Sequence, residues 1–224
     1  MKLTGTIRKT GLSGTIGKSK GGSALSDHIF ALMENNCTAA ATETVSAAVD
    51  YTTAESLSFD GTQYVATDFK PTNNTKIEID FMRTVTNAKF LFGSRSSGAH
   101  FALMYQSTTL SYPMFGTVIS SMSDTGATVD AIHTAALGQD GYYLDGEQKK
   151  TFEDMSFTGV YDLYIGTANY NGDADSRLFV GSIYAVRIYE SGVLVHEFLP
   201  AVSADGREGL YDIVGLQFYA MQTI

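Results

Sequence analysis

Glu78 and Asp80, in the run EIDFMR, are spaced to share one face of a β-strand, and they are the residues of this chain best placed to do chemistry. A Glu-x-Asp-x-(x)-Glu run on a strand sets its two outer carboxylates across a sugar ring, one as nucleophile and one as general acid/base. Arg83 stands where the third carboxylate would be, which leaves no group to protonate a leaving oxygen. The chain also has no Trp to serve as a sugar platform. Glu78 and Asp80 therefore read as the solvated face of their strand, and no catalytic residue is expected.

A second constellation, Asn171-Gly172-Asp173-Ala174-Asp175-Ser176-Arg177, alternates oxygen-bearing side chains as the opening of a calcium loop does. Ser176 replaces the glycine such a loop needs at its sixth position and Ser182 the glutamate at its twelfth, so an EF-hand is excluded. Calcium in a rim loop stays open beside the plainer reading, a solvated acidic turn; otherwise no cofactor or metal is expected. His28, His100, His133 and His196 lie far apart, none pairs with the single Cys37 at metal-ligand spacing, and all four read as structural. The chain has no GxSxG elbow, and GLSGTIGKSK matches a phosphate loop only loosely, without a βαβ context.

Sugar recognition asks for a different set. Tyrosine rings cover C–H faces while amides, carboxylates and guanidinium groups take hydroxyls. Arg95, His100, Tyr142, Tyr170, Asn171, Asp173 and Asp175 are the candidates for such a rim, with Tyr112 and Tyr143 near them. The plainer reading is ordinary sandwich tyrosines. Tyr142 and Tyr143 are adjacent in a strand, so one of them points into the core.

Strands must position these residues. With 13 Phe, 13 Tyr, 22 Gly and only 3 Pro in 224 residues, the composition favours strands and turns over long helices. Leu178–Ala201 reads as a long hairpin turning at Glu190-Ser191-Gly192. Because Ile183 and Val186 are three apart, alternation slips near Tyr184-Ala185, where a β-bulge would restore it. LSFDGTQYVA predicts a hairpin at Asp60-Gly61, TKIEIDFMRTV a half-buried strand, KFLFGSRS and HFALMYQ a pair, and GYYLDGEQKKTF a hairpin at Asp145-Gly146. VYDLYIGTA predicts a buried strand before a loop from Asn169 to Arg177. Strands this regular predict a two-sheet antiparallel β-sandwich.

The hairpin Phe179-x-Gly181-x-Ile183-x-x-Val186-Arg187-Ile188-Tyr189, then Gly192-x-Leu194-Val195-x-x-Phe198, and GREGLYDIVGLQFYA after it, resemble the end of a laminin-G-like (concanavalin A-like) jelly-roll domain. FDGTQYVATDFKPTNNTKIEIDF, from Phe59 to Phe81, is similar to the opening strands of the version found in structural proteins of bacteriophages and prophages of Gram-positive gut bacteria. Jelly-roll β-glucanases of the same broad fold carry the three-carboxylate run that Arg83 interrupts here. The resemblance implies a jelly roll over residues 55–224.

Two stretches precede it. Residues 1–24 form an arm containing the repeat LTGTIRKTG and LSGTIGKSK, and residues 25–54 hold a short amphipathic helix at Asp27–Asn36 and an Ala/Thr-rich linker. Of the chain's 15 basic residues five lie within residues 1–20, which hold no acid; the other ten face all 24 acidic residues, so the body carries −14. The arm therefore suits an acidic protein surface, while the body repels nucleic acid. Leu3, Ile7, Leu12 and Ile16, with Arg8, Lys9 and Lys18, are the expected anchoring residues, as two short strands adding to another chain's sheet; a disordered leader is the alternative. No apolar run has signal-peptide or membrane-spanning length, so neither export by that route nor a membrane partner is expected.

Together the resemblance and the arm imply a non-enzymatic phage virion structural protein, displayed on capsid or tail after assembly in the bacterial cytoplasm. It would be anchored to other virion proteins by its arm, be a homo-oligomer, and turn a lectin-like body toward host-surface glycans. The alternatives are a carbohydrate-binding module of a bacterial surface protein and, behind it, a glycoside hydrolase.

Overall fold

The computed structural model describes residues 51–123, 127–153 and 156–224. The expected arm at 1–24 and the helix at Asp27–Asn36 lie outside them. In chain order, β1 (Tyr51–Thr53), β2 (Leu57–Asp60), β3 (Gln63–Ala66) and β4 (Thr75–Arg83) lead to β5 (Lys89–Arg95), β6 (His100–Tyr105) and β7 (Leu110–Gly116). The short β8 (Val118–Ile119) and β9 (Met122–Ser123) precede β10 (Ile132–Gly138), β11 (Gly141–Leu144) and β12 (Glu147–Lys150). Then come β13 (Tyr164–Ile165), β14 (Ala168–Tyr170), β15 (Asp173–Ala174), the long pair β16 (Val180–Glu190) and β17 (Val193–Ser203), and finally β18 (Glu208–Asp212) and β19 (Gln217–Thr223).

These strands make a two-sheet β-sandwich. In the first sheet β12, β11, β10, β4, β16, β17, β18 and β19 lie side by side. There β2 adjoins the start of β16 and β1 the end of β17. In the second sheet β3, β13, β5, β6 and β7 lie in order. β14 runs parallel to β5, the one parallel pair among the described strands, and β8 and β9 line β7. β19 joins the sheets, pairing with β18 in one and β3 in the other.

Alternation decides what fills the space between them. Along β4 every odd-numbered residue from Thr75 to Arg83 is buried and every even-numbered one half-buried, as a strand with one covered face requires. Ile77, Ile79 and Phe81 meet Leu91, Phe92, Phe101, Leu103 and Phe115 of the facing sheet in one apolar core. Phe81 stacks on Tyr105 across the sandwich with ring centroids 5.4 Å apart. Removing a ring of this kind costs about 3–5 kcal/mol.

The expected hairpin turns at Ser191-Gly192, both with positive φ (52° and 80°), and its register against β4 slips between Ile183 and Ala185, the expected bulge. Asp145-Gly146 makes the same kind of turn between β11 and β12. Four expectations need correction. Asp60-Gly61 does not close a hairpin: β2 pairs with β16 in one sheet and β3 with β13 and β19 in the other, so this turn is a corner between sheets. The Asn169–Arg177 segment is not all loop, since β14 and β15 pair across Asn171-Gly172, whose φ values are 56° and 102°. The strand expected in VYDLYIGTA shrinks to the two residues of β13. The sandwich also begins upstream of residue 55, because Tyr51 in β1 pairs with Ser203 and its ring stacks on Tyr211.

Candidate functional site

β4 turns Glu78 and Asp80 to the outer face of the first sheet, and the neighbouring strands surround both with partners. Thr134 of β10 donates to Asp80 at 2.6 Å, and Arg187 of β16 donates to it at 3.3 Å while its Nε reaches Glu197 of β17 at 3.2 Å. Lys76 Nζ lies 3.1 Å from Glu78, and the Tyr189 hydroxyl donates to it at 3.4 Å. Burial disfavours the charge of Lys76, but Glu78 outweighs it and holds the ammonium above its usual pKa. Arg83 is not beside these carboxylates. Five residues from Glu78 on an unbulged strand it faces inward, 2% exposed, donating to the Ser107 carbonyl at 2.8 Å and lying over the Tyr105 ring. Met82 occupies the outer position instead.

Beyond Glu78 the face opens into a cleft of about 520 Å³ lined by Asn73, Lys76, Glu78, Asp140 and Tyr189, with the Ser191-Gly192 turn at its edge. Beside it the Tyr143 hydroxyl donates to Asp140 at 3.2 Å and receives the Gln148 amide at 2.9 Å. Sequence reasoning missed this cleft because Asn73, Asp140 and Tyr189 come from three distant turns and strands, and no local pattern joins them.

The expected rim residues divide. Arg95 and His100 pair across β5 and β6, and Tyr170 pairs with Arg95 from β14, so all three stand in a row on the outer face of the second sheet. Asp175 adjoins them through Arg177, which binds it with Nε at 2.8 Å and Nη2 at 2.5 Å. Asn171 and Asp173 sit at the exposed β14–β15 turn, where Asn171 donates its backbone N–H to the Arg95 carbonyl at 3.1 Å. Tyr142 does not belong to the rim. It is the member of the Tyr142-Tyr143 pair that enters the core, 0% exposed, its hydroxyl 3.1 Å from that of Tyr105.

In the rim loop Asp175 is already committed to Arg177, and among the described residues no three His, Cys, Asp or Glu side chains gather as a metal would require. Burial, and then Arg95, lowers the pKa of His100 below that of an ordinary histidine.

Two other histidines form pairs that no spacing rule marks. His133 Nδ1 lies 2.8 Å from Asp145 and its Nε2 3.2 Å from the Thr128 hydroxyl, the connectivity of a hydroxyl–imidazole–carboxylate triad. His133 is 8% exposed and packs against Phe81, and it lines neither the Lys76–Tyr189 cleft nor the small one beside Arg83. It pins the segment before β10 to the β11–β12 turn. His196 Nδ1 meets the fully buried Asp212 at 2.6 Å, and Asp212 also accepts the backbone N–H groups of Glu197 and Val214. No protein-family model and no curated protein matches this chain.

Proposed function

We propose that the protein is a non-enzymatic structural component of a phage particle, whose β-sandwich is a saccharide-binding body and whose basic arm anchors it to other virion proteins. The observation that carries the non-enzymatic reading is the state of the outward carboxylates. Asp80 is held by Arg187 and Thr134, Glu78 by Lys76 and Tyr189, and Met82 stands where a catalytic strand would need its third acid. A glycosidase needs one carboxyl poised to give a proton and another open to attack or to activate water. Carboxylates tied to cations and hydroxyls serve instead to shape a polar surface. The cleft bordered by Tyr189, Asp140 and Asn73 has the mixture of ring, acid and amide that sugars use. The phage setting and the anchoring arm rest on the sequence resemblance and on the segregation of charge between residues 1–20 and the rest of the chain.

Two measurements test the proposal. Incubation with laminarin and related glucans should release no reducing sugar, and robust turnover would overturn the non-enzymatic reading. Light scattering on the full chain and on a chain starting at Ala48 should show an oligomer only for the first; identical monomers would remove self-assembly from the role of the arm.

A further inference from the structure

The outer face of the second sheet holds a cation, Arg95, that has no carboxylate of its own among the described residues. Arg95 takes part in none of the ion pairs among the described residues, although it is half-buried. The one carboxylate beside it, Asp175, is occupied in a two-pronged bond by Arg177. Two guanidinium groups therefore share a single acid, and His100 next to them is held toward its neutral form by burial and by Arg95 itself. Burial and then Arg177 also depress the pKa of Arg95, so the folded protein tolerates this charge rather than stabilising it. Its Nε is sealed from solvent with no acceptor, whereas its terminal nitrogens are not among the sealed atoms and make no hydrogen bond among the described residues. Two rings hold the guanidinium in place: Phe90, 5.4 Å from its carbon, and Tyr170, 5.2 Å away. Tyr170 is itself 45% exposed at the edge of the sheet.

A planar fork held against aromatic rings, only partly compensated by the shared Asp175 and open at its tip, is the geometry that receives a carboxylate in two parallel bonds. The exposed Tyr170 ring beside it adds a surface for the C–H face of a pyranose. We infer that Arg95 and Tyr170 form a binding site for acidic sugars, with Arg95 taking the carboxylate of a uronic or sialic acid and Tyr170 covering the ring. This inference rests on the saccharide-binding reading and names the class of saccharide. The two guanidinium groups make a local positive spot on a body carrying a net charge of −14, counting residues 21–224, so an acidic sugar is drawn to this spot alone against the field of the rest.

The test is an NMR titration of the full chain with sodium glucuronate, N-acetylneuraminate, glucose and acetate in turn. Because Nε is sealed, the Arg95 Nε–H should exchange slowly and serve as a reporter at the site. Glucuronate or N-acetylneuraminate should shift it saturably, glucose should leave it unmoved, and acetate should act at least tenfold more weakly. Arg95→Lys, which keeps the charge but loses the fork, and Tyr170→Ala at the exposed edge should each weaken the acidic sugar about tenfold, read from neighbouring amides, with the rest of the spectrum unchanged. Acetate acting as strongly as the sugars would reduce the site to a simple anion site and overturn the inference. Glucose shifting amides around the Lys76–Tyr189 cleft while no acid moves the Arg95 resonance would overturn it and leave the saccharide-binding reading standing. If no sugar moves any resonance, both fall.

Discussion

Arg187 stands between Asp80 and Glu197, its Nη1 3.3 Å from one carboxylate and its Nε 3.2 Å from the other, and so ties β4, β16 and β17 together on the outer face of the first sheet. Burial works against its charge, but Asp80 and Glu197 outweigh it and hold its pKa above that of an ordinary arginine. All three side chains are about a quarter to a third exposed, so solvent screens the network and its net contribution is about 1 kcal/mol. Arg187→Leu should shift the urea midpoint by that modest amount. It should also leave Asp80 with Thr134 alone while producing no glucan hydrolysis, because Glu78 keeps Lys76 and Tyr189 and the next outward position of β4 is Met82 rather than an acid. A reducing-sugar assay on the variant checks this, and any gained turnover would show that Arg187 had been masking a catalytic pair.

Alkaline pH should expose a second dependence. The Tyr219 hydroxyl donates to Asp68 at 2.6 Å, and burial, followed by that bond and the carboxylate charge, raises its pKa well above 10.0. A folded-state pKa above the unfolded value of about 10 means that the folded protein prefers the neutral phenol. The resulting stability is fully present below pH 10 and is lost as pH rises from there toward the folded value. Tyr219→Phe should therefore be less stable than the parent at pH 8, having lost the bond, and should show a shallower fall between pH 10 and 11. Urea midpoints at the two ends of that range decide it; parallel slopes would mean that Tyr219 is not the titrating group.

Much of this architecture was legible in the chain because it is written in local chemistry. Ile77, Ile79 and Phe81 alternate with Lys76, Glu78 and Asp80, and Ser191-Gly192 and Asp145-Gly146 can adopt the positive φ that a tight hairpin needs. Local chemistry misled at Asp60-Gly61. The same dipeptide signal, with an Asp60 side chain accepting the Thr62 N–H at 2.9 Å, makes a corner as readily as a hairpin; which one forms depends on β16 and β19, more than a hundred residues away. The sites were less legible for the same reason. Arg95 and His100 face each other through the β5–β6 pair that the local pattern implies, yet only the parallel pairing of β14 with β5, which no local pattern marks, brings Tyr170 beside them. The choice between Tyr142 and Tyr143 depended on the register of β11 against β10.

That register gives a prediction separating core from surface. Tyr142→Phe removes a hydroxyl buried against that of Tyr105 and should cost about 1 kcal/mol in thermal or urea unfolding. It should not alter any saccharide affinity, since its ring is 0% exposed. An affinity lost without a stability change would put Tyr142 back at the rim.

Glycines on the long hairpin provide the sharpest contrast in stability. Gly181 lies in β16 against β4 with φ +147°, and a Cβ there would stand 2.1 Å from the Met82 carbonyl oxygen and 2.9 Å from the Arg83 Cα. Both are backbone atoms of a central strand that cannot withdraw without breaking the register that sets Glu78, Asp80 and Arg187 on one face. Gly192, at the turn, also has positive φ (+80°), but a Cβ there would meet nothing within 4 Å. Gly192→Ala should therefore cost roughly 1 kcal/mol, the strain of left-handed backbone alone, and leave the fold intact. Gly181→Ala carries the same kind of strain plus a clash with immovable backbone, and should cost several times as much, enough to prevent recovery of folded protein if the parent has ordinary marginal stability. Comparing the two variants by circular dichroism melts isolates the clash. Equal losses would mean that β4 and β16 do not pack as closely at Gly181 as this register requires.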